Sequence, residues 1–182
     1  QYTDQIQYIR DNNITATHEI LNDWNHYNVP FESFIKQNED DIIIDPLTNH
    51  ITWDQNQGWN DECPLDQSGP GGHVYAGCVA TAMGIVMKYW EYPIQGTGSH
   101  SYYSSYGYLT ANYGETTYFW SYMENDDPNY YSALLLSHLG IGVNMMYGPN
   151  GSGAYSHDVP YVFENHMGYD PSIAYYSREG YT

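Results

Sequence analysis

Apolar residues recur at three- and four-residue spacing along positions 78–90. Val79, Ala82, Val86 and the Tyr89–Trp90 pair form one stripe, and Ala80, Met83 and Met87 fill the face beside it. That period predicts a helix starting at Cys78, apolar nearly all round and therefore a buried central element. The run ends before Pro93, and Lys88 is its only charge. "PNYYSALLLSHLGIGVNMMYG" predicts a second helix, with Pro128 near its first turn and Gly140 near its C-terminal cap. "HDVPYVFENHMGYD" predicts a third, stopped at Gly168, and "SIAYYS" a strand. Residues 41–55, "DIIIDPLTNHITWDQ", alternate around a Pro-Leu-Thr-Asn turn and predict a β-hairpin.

Between these elements the chain is punctuated rather than periodic. Residues 56–77 read as loop, most clearly at Gly69-Pro70-Gly71-Gly72, and "GPNGSGAYS" reads as another. "GTGSHSYYSSYGYLTANYG" is low in charge and rich in Tyr and Ser, which fits loops and short strands. The first 30 residues form a separate piece: Ile6 and Ile9 mark one short helix. Ile20, Leu21 and Trp24 mark a second, with Thr17 as its N-cap.

Charge narrows the partners. Twenty-two acidic residues face four Lys and Arg, a formal net charge of −18, so nucleic acid and anionic membrane surfaces would be repelled. Such a surface suits a secreted, soluble protein. Gln1 opens a polar segment, which fits a chain whose signal peptide has been removed or left out. The 22 tyrosines exclude a disordered acidic tail, and no apolar run reaches the ~20 residues of a bilayer span.

Two cysteines do not make a disulfide framework, so Cys78 carries the chemical interest. At the first turn of a helix it meets the positive end of the macrodipole, which favours thiolate, and its own N–H faces a developing oxyanion. Ala76 and Gly77 before it are small enough for a substrate backbone to lie close. Burial as an ordinary packing residue, or a disulfide to Cys63, are the alternatives. Among the eight histidines, His73 lies five residues before Cys78 on the Gly-rich loop and is the one candidate base. His138 and His157 stand where helices begin or end, and His100 and His166 on loops or helix surfaces. No His or Cys spacing matches a zinc site and no twelve-residue calcium loop occurs, so no metal or cofactor is called for.

The string "AGCVATAMGIVMKYWEYPIQGTGSHSY" resembles the nucleophile segment of the streptopain family of secreted bacterial cysteine peptidases, in the papain-like clan. Similarity continues through "LTANYGETTYFWSYM" and "LLLSHLGIGVNMMYGPNGSGAYSHDVPYVFENHMGYD" to "YYSREGY", over roughly residues 51 to 182. The resemblance implies an α+β papain-like fold, with the end of a propeptide over residues 1–46 and the N-terminal part of the peptidase domain over 47–182. It implies Cys78 as nucleophile, Gly77 beside it at the cleft, and Ser152, Gly153 and Ala154 on a loop that walls the substrate site. It also implies secretion, a zymogen, and protein or peptide substrates. The family's Gly-Gly-His-Ala segment and Asn-Trp-Gly-Trp-Gly segment do not occur in these residues. A downstream chain or segment is therefore the expected source of the catalytic His, and this chain alone is expected to be inactive. The competing expectations are a non-catalytic binding or inhibitor module that kept the fold, and a sugar-binding platform on Tyr102–Tyr113.

Overall fold

Helix α1, Cys78–Trp90, and helix α2, Tyr130–Gly142, pack against each other at the centre of the computed structural model, which describes Thr48, His50 and residues 51–176. These belong to a unit spanning Pro46–Thr182; Gln1–Asp45 is a separate unit. The two short helices expected over residues 1–30 and the first arm of the hairpin lie outside the described residues.

The helices approach closely because α1 carries Gly84 at the crossing. A Cβ there would sit 2.6 Å from Leu136 Cδ2 and 3.1 Å from the Trp53 ring. Met83 and Met87 from α1, with Leu135, Leu136 and Leu139 from α2, form the middle of the core. Asn129 starts α2 through a capping box. Its Oδ1 accepts from the Tyr131 and Ser132 N–H groups at 3.0 and 3.3 Å, and Ser132 Oγ accepts from the Asn129 N–H at 3.0 Å.

The Tyr-rich stretch folds as an antiparallel hairpin, β1 (His100–Ser104) and β2 (Gly107–Ala111), in which Tyr102 opposes Leu109. Gly107 takes φ +101° at the turn, a conformation L side chains rarely adopt. The hairpin contacts α2. Helix α3, Val159–Asn165, has Pro160 in its first turn, and Gly168, at φ +67°, follows its end. Among the described residues, helices and one small sheet make an α+β fold.

Several expectations change. α1 is not buried all round: Ala82, Val86 and Trp90 are exposed, Val86 at 40% and Trp90 at 63%. Pro128 precedes the N-cap of α2, and Gly140 lies inside that helix, where a Cβ would be 2.4 Å from Tyr147 Oη. The glycine answers a side chain packed across it, not a cap. Residues 172–176 form no strand; Asp170 closes a turn by accepting from the Ser172 and Ile173 N–H groups. The described arm of the expected hairpin, Ile51–Gln55, is also not in a strand. Its alternation buries Ile51 and Trp53 in the core, and Trp53 Nε1 donates to the Glu124 carbonyl at 2.8 Å.

His138 and His166 are buried, not exposed caps. Tyr118 Oη lies 3.1 Å from His138 Nδ1, and His166 Nδ1 donates to the Thr97 carbonyl at 3.1 Å while its ring stacks on Tyr113 at 4.6 Å. Three- and four-residue periodicity marks only apolar faces, and these histidines are held by partners 20 and 69 residues away, which leave no such mark.

Candidate active site

The segment leading to Cys78 is fixed from several sides. Val74 N–H donates to the Pro64 carbonyl at 3.0 Å, Tyr75 N–H to Gly148 at 3.4 Å and Ala76 N–H to Gln55 at 3.0 Å. The buried Asn60 amide donates to the carbonyls of Pro70 and Val74, at 2.8 and 3.0 Å, and so staples the Gly-rich loop to that segment. Nothing in local periodicity marks Asn60, because its partners come from residues ten or more away in the chain.

Gly77 is the N-cap of α1, at φ 93° and ψ 138°, and Cys78 is the first helical residue. Positive φ there turns the chain sharply into the helix, so that Cys78 emerges exposed while Ala76 and Gly77 are buried. The Gly77 carbonyl accepts from both the N–H and Oγ1 of Thr81, at 3.0 and 3.1 Å, which locks the first turn. Packing inside the domain requires a residue without a side chain at Gly77. A Cβ at residue 77 would fall 2.6 Å from Met145 Sδ and Cε and 3.4 Å from Ser152 Cβ.

The loop after α2 is therefore folded against the turn that leads into Cys78. Met146 and Gly153 exchange backbone hydrogen bonds at 2.8 and 3.2 Å, and Ser152 Oγ accepts from the Gly148 N–H at 3.1 Å. This closure brings Ser152 beside Gly77. Gly153 uses its backbone groups on Met146, and the Ala154 side chain packs against the core. Tyr102, on β1, donates its hydroxyl to the Met145 carbonyl at 2.6 Å and so ties the hairpin to the same loop. The tyrosines of that stretch divide: Tyr113 is buried, Tyr102 and Tyr106 hold Met145 and Asp66, and Tyr103 and Tyr108 are exposed.

Cys78 opens onto a groove of about 450 Å³. One wall is the outward face of α1, with Val79, Ala82 and Val86; the other is Val159, Pro160 and Phe163 of α3, with Ser156 and Ile173–Tyr175 closing the ends. Among the described residues lining it, the ionisable side chains are the Cys78 thiol and the Tyr175 phenol; there is no imidazole or carboxylate. His73 is not in the lining. Its Nδ1 donates to the Cys63 carbonyl at 2.8 Å, and it forms a bridge with Leu65.

The two cysteines are both free. Cys63 is buried, and burial pushes its thiol up to about 12. It is an inert packing residue, whereas Cys78 is open to solvent and set at a helix start. Among the described residues there is no group of three or more His, Cys, Asp or Glu placed to hold a metal, and no helix is long and apolar enough to cross a membrane.

The thiol protease/hemagglutinin PrtT of Porphyromonas gingivalis is 32% identical over 139 residues, 70% of this chain and 16% of that protein. Streptopain of Streptococcus pyogenes is 28% identical over 134 residues, 65% of this chain and 34% of that protein. Active interpain A of Prevotella intermedia, a cysteine protease, superposes with a TM-score of 0.56 at 33% identity, over 65% of this chain and 53% of that one. A prointerpain A fragment from the same organism gives a TM-score of 0.57 at 32% identity, over 65% and 41%. The chain thus spans about a third or less of the curated relatives' length and about half of the solved chains. The architecture is the N-terminal portion of a papain-like cysteine peptidase fold. The peptidase C10 family model matches residues 53–182, and the chain belongs to that family of cysteine peptidases.

Proposed function

We propose that this chain is the nucleophile-bearing portion of a secreted cysteine endopeptidase, made as a zymogen, in which the catalytic imidazole comes from polypeptide outside these 182 residues. The observation that carries this reading is Cys78: an exposed thiol at the first position of α1, at the mouth of a groove whose described lining contains no base. The thiolate attacks the carbonyl carbon of a peptide bond, forming a C–S bond and placing negative charge on the carbonyl oxygen. The Cys78 N–H, unpaired at a helix start, is suited to accept that charge. Collapse of the intermediate expels the amine, which takes its proton from the imidazolium of the partner His. Water, giving its proton to the imidazole, then attacks the thioester, and the acid leaves with the thiol restored.

The loop closed by Ser152 supports a role for Ser152, Gly153 and Ala154 in walling the substrate cleft, since it packs on the turn that presents the nucleophile. Residues 1–46, lying mostly in the separate N-terminal unit, are the proposed end of the propeptide. The full-length protein in a thiol reductant should hydrolyse an unstructured protein such as casein, and more rapidly once residues 1–46 are removed. Hydrolysis that survives Cys78→Ala would sink the nucleophile assignment. Unfolding without activation on removal of 1–46 would sink the propeptide assignment.

A further inference from the structure

Lys88 is the one Lys or Arg among the described residues; it is buried, and its Nζ is held by Glu91 Oε1 at 3.0 Å and the Trp120 carbonyl at 3.2 Å. The described surface therefore presents no exposed ammonium or guanidinium group, on a chain whose formal charge is −18. Ser156 and Val159 both line the groove, and Asp158, between them in the chain, has a side chain 36% exposed. That carboxylate makes no N-cap hydrogen bond to α3; its recorded partner is His157 Nε2, at 3.5 Å. Beside it Tyr155, 62% exposed, stacks on the His157 ring at 5.3 Å and 23°.

An exposed carboxylate next to an exposed aromatic face is a pairing that suits a cationic side chain, by charge attraction and by cation–π contact. With no fixed positive charge on the described surface to cancel it, the negative potential extends to the approach path of a substrate. We propose that the Cys78 site takes polypeptide substrates carrying Lys or Arg near the bond to be cut, and that Asp158 and Tyr155 at the groove rim set this preference. The inference rests on the peptidase reading of Cys78 and adds the class of substrate.

The potential at the thiol is measurable without turnover. The full-length protein is treated with cationic and anionic methanethiosulfonate reagents of equal size, each rate on Cys78, followed by peptide mapping, normalised to that of a small free thiol. Work at about pH 8 keeps imidazoles of ordinary pKa neutral. The cationic reagent should react about tenfold faster at roughly 20 mM salt, and the preference should fade by about 0.5 M, where the Debye length is only a few ångströms. Asp158→Asn, which removes no helix cap, should lower the low-salt ratio; Tyr155→Leu should lower kcat/KM for a Lys-flanked peptide relative to its Glu-flanked match in the full-length protein. A normalised ratio near one at low salt, or one favouring the anion, overturns the proposal. An unchanged ratio in Asp158→Asn overturns the assignment to that carboxylate, and unchanged peptide discrimination in Tyr155→Leu the assignment to that ring. Labelling needs no hydrolysis, so its outcome is independent of whether the protein cleaves peptides.

Discussion

Met145 closes over Gly77: a Cβ on residue 77 would meet its Sδ and Cε at 2.6 Å. Met145 is fully buried and its carbonyl is held by Tyr102 Oη at 2.6 Å, so the contact cannot relax by moving the sulfur to solvent. Gly77 also needs its φ of 93° to turn the chain into α1. Gly77→Ala should therefore be destabilising twice over, by backbone strain and by overpacking, together about 2–4 kcal/mol. Urea denaturation of the variant should show the lowered midpoint. A midpoint equal to wild type would mean that the turn is not held as described.

The two thiols should separate cleanly in alkylation. Cys78 is exposed, whereas Cys63 is buried with its thiol pushed up to about 12. At neutral pH iodoacetamide should modify Cys78 first, and Cys63 only when the protein unfolds. Peptide mapping after short exposure distinguishes the two, and equal labelling in the folded chain would contradict the burial of Cys63.

His138 makes stability depend on acid. Burial lowers its pKa to about 4, against an ordinary value of about 6.5 in the unfolded chain. The unfolded state then binds the proton more readily. This contribution is complete above about pH 6.5 and is lost as pH falls through about 4, up to roughly 3 kcal/mol in all. Urea midpoints at pH 7.5 and 5 should differ less in His138→Gln than in wild type. An equal acid shift in both would place the acid sensitivity elsewhere.

The outward face of α1 predicts how the isolated 182-residue chain behaves. Val86 and Trp90, exposed beside Val79 and Ala82, form an apolar strip that a soluble domain rarely leaves uncovered. The isolated chain should bind the dye ANS and associate at micromolar concentration, and Val86→Glu should reduce both. A monomer with no dye binding would show that the strip is not a contact surface.

Much of this was legible in the residues, and the exceptions have a common physical origin. The period of residues 78–90 located α1, since spacing alone fixes which positions share a helix face. It did not say that Ala82 and Val86 would stay open, because burial depends on what packs against a face. Cys78 stood out by its small-residue turn and helix start, but Asn60, Tyr102 and Met145, which hold that turn, act across 10 to 68 residues of chain and carry no local pattern. The same holds for Gly140, whose partner Tyr147 comes back from beyond the helix end. The 51–55 alternation was read as a strand because burial on alternate sides looks identical in sequence, whether or not a neighbouring strand is present.

The proposed role of Cys78 as nucleophile admits a direct measurement. The full-length protein is incubated with a peptidyl epoxysuccinate, weighed intact and mapped by peptide mass. The account predicts a single adduct on Cys78, formed in step with the loss of peptide hydrolysis, and no adduct in Cys78→Ala. Hydrolysis that continues with Cys78 fully modified, or an inactivating adduct elsewhere in the protein, would contradict it.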